Sequence, residues 1–328
     1  MKQARYEQRG PVPQDVIAAV ESATPAPAPG QVLVEVLAAP INPSDLLTLT
    51  GEYGLLPPLP AVGGNEGVGR VAALGEGVSA PAIGTVVLLP PSGGSWSTHL
   101  LADPRALLPL PEADPVQLSM ITVNPPTARL LLTEFVDLQP GDWVIQNAAN
   151  SAVGGYLVQL AALRGLRTLN VVRRESAVAG VRELGGDVVL VDGDDLSRRV
   201  REATDGAPVR LGIDAVGGGA TERLAQSLSE GGVLVNYGAM SGEACALSPA
   251  QLVFRDIALR GFWLARWYRL APMAQRVGLL QELAGLITQG ALRTRVQAVY
   301  GIDRIKDAVA AAAAGEREGK IVLVPNQT

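Results

Sequence analysis

Apolar and polar positions alternate through much of the first third of the chain. Residues 31–38 (QVLVEVLA) alternate as a half-buried strand does, and residues 67–74 (GVGRVAAL) repeat the pattern. A third strand is predicted over 83–89 (IGTVVLL). Proline and glycine punctuate the stretches between, and short strands so spaced predict a small barrel or sandwich. Near residue 142 the rhythm changes. Strands are predicted over 143–148 (WVIQNA), 168–172 (TLNVV), 188–191, 211–215 and 233–237, with helices between them, among them 154–164 and 176–184. Repeated strand–helix units imply a parallel sheet covered on both faces by helices. The last stretch returns to an alanine-rich helix over 303–314 and a strand over 320–324 (KIVLV), whose character matches the first third.

The expected fold is therefore α/β. A doubly wound parallel sheet over 123–291 is inserted in a β-rich domain made of 1–122 and 292–328. The 328 residues suffice for two domains. With 48% hydrophobic and 18% charged residues, a disordered chain is excluded. Aromatic residues make up only 4%, so the cores must be built from Val, Leu, Ala and Ile. A net charge of -5 gives no overall attraction to nucleic acid or to an anionic membrane. No apolar run reaches the ~20 residues that span a bilayer. The N-terminal MKQARYEQRG lacks the apolar core of a signal peptide, so a cytoplasmic location is expected. One cysteine, Cys245, and one histidine, His99, cannot supply the usual three or four ligands of a zinc site, and no metal is expected.

Residues 146–155 (QNAANSAVGG) form the strand–turn–helix where a dinucleotide fold places its phosphate loop. Small residues let the backbone approach a diphosphate, and the helix start offers unpaired N–H groups. The glycine fingerprint is degenerate, with only Gly154 kept at its final position, and a packing turn of small residues would read the same way. The next strand ends in Arg173 and Arg174. NAD-binding folds carry an acid there for the ribose hydroxyl, whereas guanidinium groups suit a 2′-phosphate and so NADPH. The other reading is an arginine pair on a solvated helix start. Tyr237, Gly238, Ala239 and Met240 close a later strand, at a ligand crevice or at an ordinary strand end.

In the first domain Tyr53 lies in a glycine-flanked loop, Gly51-Glu52-Tyr53-Gly54. A phenol keeps its proton at neutral pH and can steady a developing oxyanion, or it is a surface aromatic packed at a turn. Trp96 is either an apolar substrate wall or plain packing, and His99 reads as structural.

Several motifs together resemble the medium-chain dehydrogenase/reductase superfamily, and within it the 2-enoyl thioester reductases of fatty-acid synthesis. They are Ile41-Asn42-Pro43-Ser44-Asp45, the run from Gly51 to Leu56 (GEYGLL), Ala61 to Gly67 (AVGGNEG), and Val123-Asn124-Pro125-Pro126-Thr127-Ala128. Gln146 to Ser151, Asn170 to Arg173, Asn236 to Met240 and Arg260-Gly261-Phe262-Trp263-Leu264 continue the match in order across nearly the whole chain. Zinc alcohol dehydrogenases of this superfamily read Gly-His-Glu where this chain has Gly64-Asn65-Glu66, so the metal-binding histidine is missing.

The resemblance implies a GroES-like β-rich catalytic domain around the Rossmann domain, and a homodimer. It implies that Tyr53 is catalytic. It implies NADPH contacts at Asn42, Asn124, Thr127, Asn150, Ser151, Ala152, Val153, Arg173, Arg174, Tyr237, Gly238, Ala239, Met240, Phe262, Trp263, Leu264 and Lys320. Two departures stand out: Glu175 where relatives often have a basic residue, and Ala239 for a common glycine. The implied reaction is NADPH-dependent reduction of a trans-2-enoyl thioester of coenzyme A or an acyl carrier protein. Trp96 and Arg266 are the candidate substrate contacts. Arg266 belongs to a cluster with Arg260 and Arg269 around Trp263 and Trp267 that suits phosphates or an acidic carrier, or is an ordinary charged helix face. An NADPH:quinone or enone reductase, and a non-catalytic NADPH-binding protein on the same fold, are the competing readings.

Overall fold

The computed structural model describes every residue except Ser92, Glu316 and Thr328. The chain divides into two compact units, Met1–Val123 with Met273–Thr328, and Asn124–Pro272. The sequence reading ran the central domain to residue 291. The helix Met273–Thr288 instead falls in the first unit, where it packs on the short helix Pro115–Leu118. A leucine-rich helix carries no mark of which core it will serve.

The first unit begins with strands β1 (Lys2–Tyr6), β2 (Ile17–Glu21), β3 (Val32–Pro40), β4 (Ala61–Val62), β5 (Val68–Leu74), β6 (Val86–Leu88), β7 (His99–Ala102) and β8 (Leu108–Pro109). The second unit holds β9 (Trp143–Gln146), β10 (Arg167–Val172), β11 (Val188–Val191), β12 (Val209–Asp214), β13 (Val233–Asn236) and β14 (Ala258–Gly261). The chain then returns to the first unit with β15 (Val296–Tyr300) and β16 (Lys320–Leu323).

In the first unit a seven-stranded sheet runs β15-β16-β3-β5-β6-β8, with β7 also on β3, beside a three-stranded sheet β2-β1-β4. The inward positions of the alternating strands meet as predicted. Val32, Val34 and Val36 pack with Val71, Val87, Leu89 and Leu100. Strand β16 pairs antiparallel with β3, Val322 opposite Pro40, which ties the C-terminal segment to residues far back in the chain. The β1–β2 hairpin was not anticipated, because its burial pattern is broken by exposed and half-exposed positions.

In the second unit all strand pairs are parallel, in the order β11-β10-β9-β12-β13-β14. Every residue of β9 is buried, as a strand covered on both faces requires. Ile145, Leu169 and Val171 pack on one face with Leu196 and Val200, while Val158, Val172 and Val181 pack on the other. Each such side chain contributes about 1.5–3 kcal/mol when taken from water. The strand order reverses between β9 and β12, and the crevice beyond the C-terminal ends at such a point is where this class of sheet binds ligands. Strand β14 escaped the sequence reading because its four residues, ALRG, are all exposed at the free edge.

Candidate active site

The second unit carries the turn and strand ends at which a dinucleotide is expected. After β9 the chain turns through Asn147–Ser151, with Ala148 in the left-handed region at a φ of 47°. The Ser151 hydroxyl then caps the helix Ala152–Leu163 by accepting from the Gly154 N–H at 3.1 Å. A Cβ at Gly154 would lie 2.6 Å from the Ala149 carbonyl oxygen and 2.7 Å from its Cα, so only glycine lets helix and turn close up. Gln146 binds this corner from below, donating to the Gly154 carbonyl at 3.1 Å and to Asn170 at 2.8 Å. Asn150 stays exposed, with Ser151, Ala152 and Val153 half-buried at the helix start, where backbone N–H groups lack helical partners.

Arg173 and Arg174 follow the end of β10, exposed and half-buried, with Glu175 exposed beside them. Tyr237 follows the end of β13 and its hydroxyl is hydrogen-bonded with Ser151; burial raises this phenol above its ordinary range, so it remains protonated. Gly238 is half-buried, and Ala239 and Met240 are exposed. Phe262, Trp263 and Leu264, half-buried, follow the end of β14, where Phe262 stands edge-on to Phe135 at 6.0 Å and Trp263 lies under the Arg269 guanidinium at 5.7 Å. Arg266 is exposed on the helix Leu264–Leu270. Asn124 and Thr127 are buried on the helix Asn124–Leu131. A small-residue turn, a helix start capped by Ser151 and two arginines at the β10 end together fit a phosphorylated dinucleotide.

The first unit carries the tyrosine. Tyr53 follows the helix Pro43–Thr50, which ends at Gly51 in the left-handed conformation (φ 89°). The Tyr53 N–H bonds the Leu47 carbonyl at 3.1 Å, which fixes the loop against the helix end, and the side chain is half-buried. At the other end of this helix lies a buried ionic network. Lys320 Nζ donates to the Ile41 carbonyl at 2.9 Å and to Asn42 Oδ1 at 2.5 Å. The Asn42 amide donates onward to Glu66 Oε1 at 2.6 Å, and Glu66 Oε2 accepts from the Thr122 N–H and hydroxyl, both at 3.0 Å. Asp45 accepts from the N–H groups of Asn42 at 2.7 Å and Asn65 at 3.1 Å. Burial lowers the Lys320 ammonium to about 8, against the pull of Glu66 and Asp45, and raises Asp45 to about 7, with Glu66 adding to the rise. Burial also raises Glu66, opposed by Lys320 and by its hydrogen bonds.

One expected contact is corrected. Trp96 is fully buried, with its ring against Gly63 and Gly64 and its indole N–H donating to the Pro40 carbonyl at 3.3 Å. It is part of the core and not a substrate wall; a large apolar residue beside glycines reads identically in either role. His99 sits in β7 with its ring near the Thr98 hydroxyl. The sequence did not single out Asp45, Glu66 and Thr122 as partners in this buried network, since no local pattern joins them. Among the described residues no group of three or more His, Cys, Asp or Glu is arranged to hold a metal ion.

The family model for the alcohol dehydrogenase GroES-like domain matches residues 28–112, and the one named zinc-binding dehydrogenase matches 152–278. The mitochondrial enoyl-[acyl-carrier-protein] reductase of Rattus norvegicus is 41% identical over 266 residues, covering 79% of this chain and 71% of the relative. The chain belongs to the zinc-free enoyl thioester reductases of the medium-chain dehydrogenase/reductase superfamily. Solved structures agree with the superfamily. A candidate NADPH:quinone reductase from Bacillus thuringiensis superimposes with a TM-score of 0.89 at 29% identity, over 98% of both chains. The Etr1p complex with NADP and crotonyl-CoA does so at 0.88 and 26%, covering 98% of this chain and 99% of that one. Etr1p of Candida tropicalis is also known in a heterodimer with Etr2p, described as a mitochondrial 2-enoyl thioester reductase. Relatives of the family matched at about 40% identity carry mitochondrial names, which overturns the cytoplasmic location expected above.

Proposed function

We infer that this chain reduces trans-2-enoyl thioesters to saturated acyl thioesters with NADPH. The observation that carries the reading is the dinucleotide edge, whose turn, capped helix and paired arginines fit NADPH, in a chain 41% identical to a named enoyl reductase. When bound, NADPH supplies hydride to the β-carbon of the enoyl group.

The residues divide the remaining work. Arg173 and Arg174 hold the 2′-phosphate by charge-assisted hydrogen bonds, and the turn from Asn150 to Val153 offers its N–H groups to the diphosphate. Within the second unit Asn124, Thr127, Tyr237, Gly238, Ala239, Met240, Phe262, Trp263 and Leu264 make the further cofactor contacts. Reduction places negative charge on the thioester oxygen, where the Tyr53 hydroxyl donates a hydrogen bond; one such donor is worth ~3 kcal/mol. Tyr53, or a water relayed from it, then delivers a proton to the α-carbon. Arg266 and Arg269 bind the thioester's carrier, through the phosphates of coenzyme A or the acidic surface of an acyl carrier protein. The active species is read as a homodimer, supported by the exposed edge strand β14 and by Val253 and Phe254 on the helix Pro249–Arg255, 71% and 78% exposed.

A paired assay tests the reaction. Crotonyl-CoA and a simple quinone are compared at matched concentrations, each with NADPH and with NADH, following cofactor oxidation. Faster turnover of the thioester with NADPH is expected. Faster turnover of the quinone would replace this reading with a quinone reductase, and cofactor binding without turnover of either would replace it with a non-catalytic protein.

A further inference from the structure

Asp214 is the last residue of β12, at the point where the strand order of the second unit reverses, and it is completely buried. No cation pairs with it in the ion pairs of the described residues, and it is held by hydrogen bonds alone. Its Oδ1 accepts from the Asn147 amide at 2.6 Å, the Val216 N–H at 2.9 Å and the Gly217 N–H at 3.1 Å. Its Oδ2 accepts from the Thr221 hydroxyl at 2.7 Å and the Asn236 amide at 3.1 Å. Five donors thus converge on one carboxylate. Burial raises this acid, but the bonds from Asn147, Thr221, Gly217 and Val216 more than offset it and leave it below the usual carboxylate range, so it is ionised at neutral pH.

The donors come from the loops after β9 and β12, from the helix Gly219–Ser227 and from the end of β13. Asn147 opens the turn that leads to Ser151 after β9, and its own Oδ1 accepts from the Ala215 N–H at 2.7 Å. Val216 and Gly217 form the loop after β12. Asn236 ends β13 and also donates to the Gly238 carbonyl at 2.9 Å, inside the Tyr237–Met240 loop. The backbone continues the link, since the Tyr237 N–H donates to the Asp214 carbonyl at 2.9 Å and the Met240 N–H to that of Ala215 at 3.1 Å. Two segments proposed to contact NADPH, 150–153 and 237–240, are therefore each preceded by an asparagine, Asn147 and Asn236, bound to the same carboxylate, with backbone bonds from Tyr237 and Met240 beside it.

We propose that Asp214 is a positioning residue for NADPH, whose carboxylate holds the loops after β9, β12 and β13 in the shape that binds the dinucleotide. The proposal rests on the reading that this chain binds NADPH. An asparagine at 214 loses the charge and keeps one acceptor oxygen, while its NH2 group meets either the three donors on Oδ1 or the Asn236 amide and the Thr221 hydroxyl, of which only the hydroxyl can reverse and accept, so at least one bond is lost and the hold on the loops weakens.

The test uses the full chain. NADPH Kd is measured by fluorescence titration, and KM for NADPH, KM for crotonyl-CoA and kcat by initial rates, for the unaltered protein, Asp214→Asn and Asn236→Ala. For Asp214→Asn the Kd and KM of NADPH are expected to rise about tenfold or more, with kcat at saturating NADPH and the thioester KM within about threefold. Asn236→Ala, which removes one donor and leaves the charge, is expected to raise the NADPH Kd about threefold. It is the deciding variant if Asp214→Asn fails to fold. An NADPH Kd unchanged in the folded variants overturns the proposal, as does an equal loss in kcat and in both KM values. Failure of the unaltered protein to bind NADPH would instead overturn the cofactor reading itself.

Discussion

Replacing Tyr53 by phenylalanine removes one hydroxyl and little else from a half-buried loop residue. If that hydroxyl meets the thioester oxygen, kcat for crotonyl-CoA should fall about a hundredfold while the NADPH Kd stays within about twofold. Unchanged turnover in stopped-flow assays would remove Tyr53 from the chemistry. Asp45 makes a different kind of prediction. Burial raises its carboxyl from 3.8 to about 7, so the folded chain keeps a proton that the unfolded chain releases. Between about pH 4 and about pH 7 the folded state binds more protons, and stability from this group is present at the acid end and lost as pH rises. Asp45→Asn should flatten that slope in thermal melts taken across the window. Parallel slopes for the two proteins would mean that some other group titrates there.

At the scale of elements, the corner after β9 depends on how closely the helix Ala152–Leu163 approaches the turn that leads into it. The methyl group of Gly154→Ala would meet the backbone of Ala149, which cannot rotate away as a side chain does. Forced contacts of this kind cost about 1–3 kcal/mol, which should appear as a Tm several degrees lower together with weaker NADPH binding. A melting curve superimposable on that of the unaltered protein would show that the corner relaxes freely. The same logic explains the first unit's helix Pro43–Thr50. Its start is fixed by Asn42, Asp45 and Lys320, and its end by Gly51, so the Tyr53 loop begins from a held position.

For the molecule as a whole, charge and edges govern association. A chain of net charge -5 displays Arg266 and Arg269 one helical turn apart, the latter over Trp263. Reversing both to glutamate should raise the KM of a carrier-linked enoyl substrate about tenfold and leave a short N-acetylcysteamine thioester unaffected. An unchanged KM for the carrier-linked substrate would end the docking idea. The free edge at β14 should pair two 34.1 kDa chains, so sedimentation velocity is expected to report a dimer that Leu259→Asp weakens. A monomer for the unaltered chain at micromolar concentration would overturn the homodimer.

Periodicity along the chain was enough to locate β3, β5, β9, β10, β11, β13 and β16, because each buries an inward face or both faces and so writes its geometry into the residue order. The small-residue turn after β9 and the arginine pair after β10 could be located in the sequence too, since small residues and charges at a strand end have a local physical meaning. What folding alone decided are the things that depend on meetings between distant residues. Lys320 reaches Asn42 across 278 positions, and Asp214 reaches Asn147 across 67. Trp96 became core because Gly63 and Gly64 make room for its ring, and β14 became a strand because β13 offered it a partner. A sequence fixes what each segment must hide from water, but which donor finds which acceptor is set only when the segments arrive at one place.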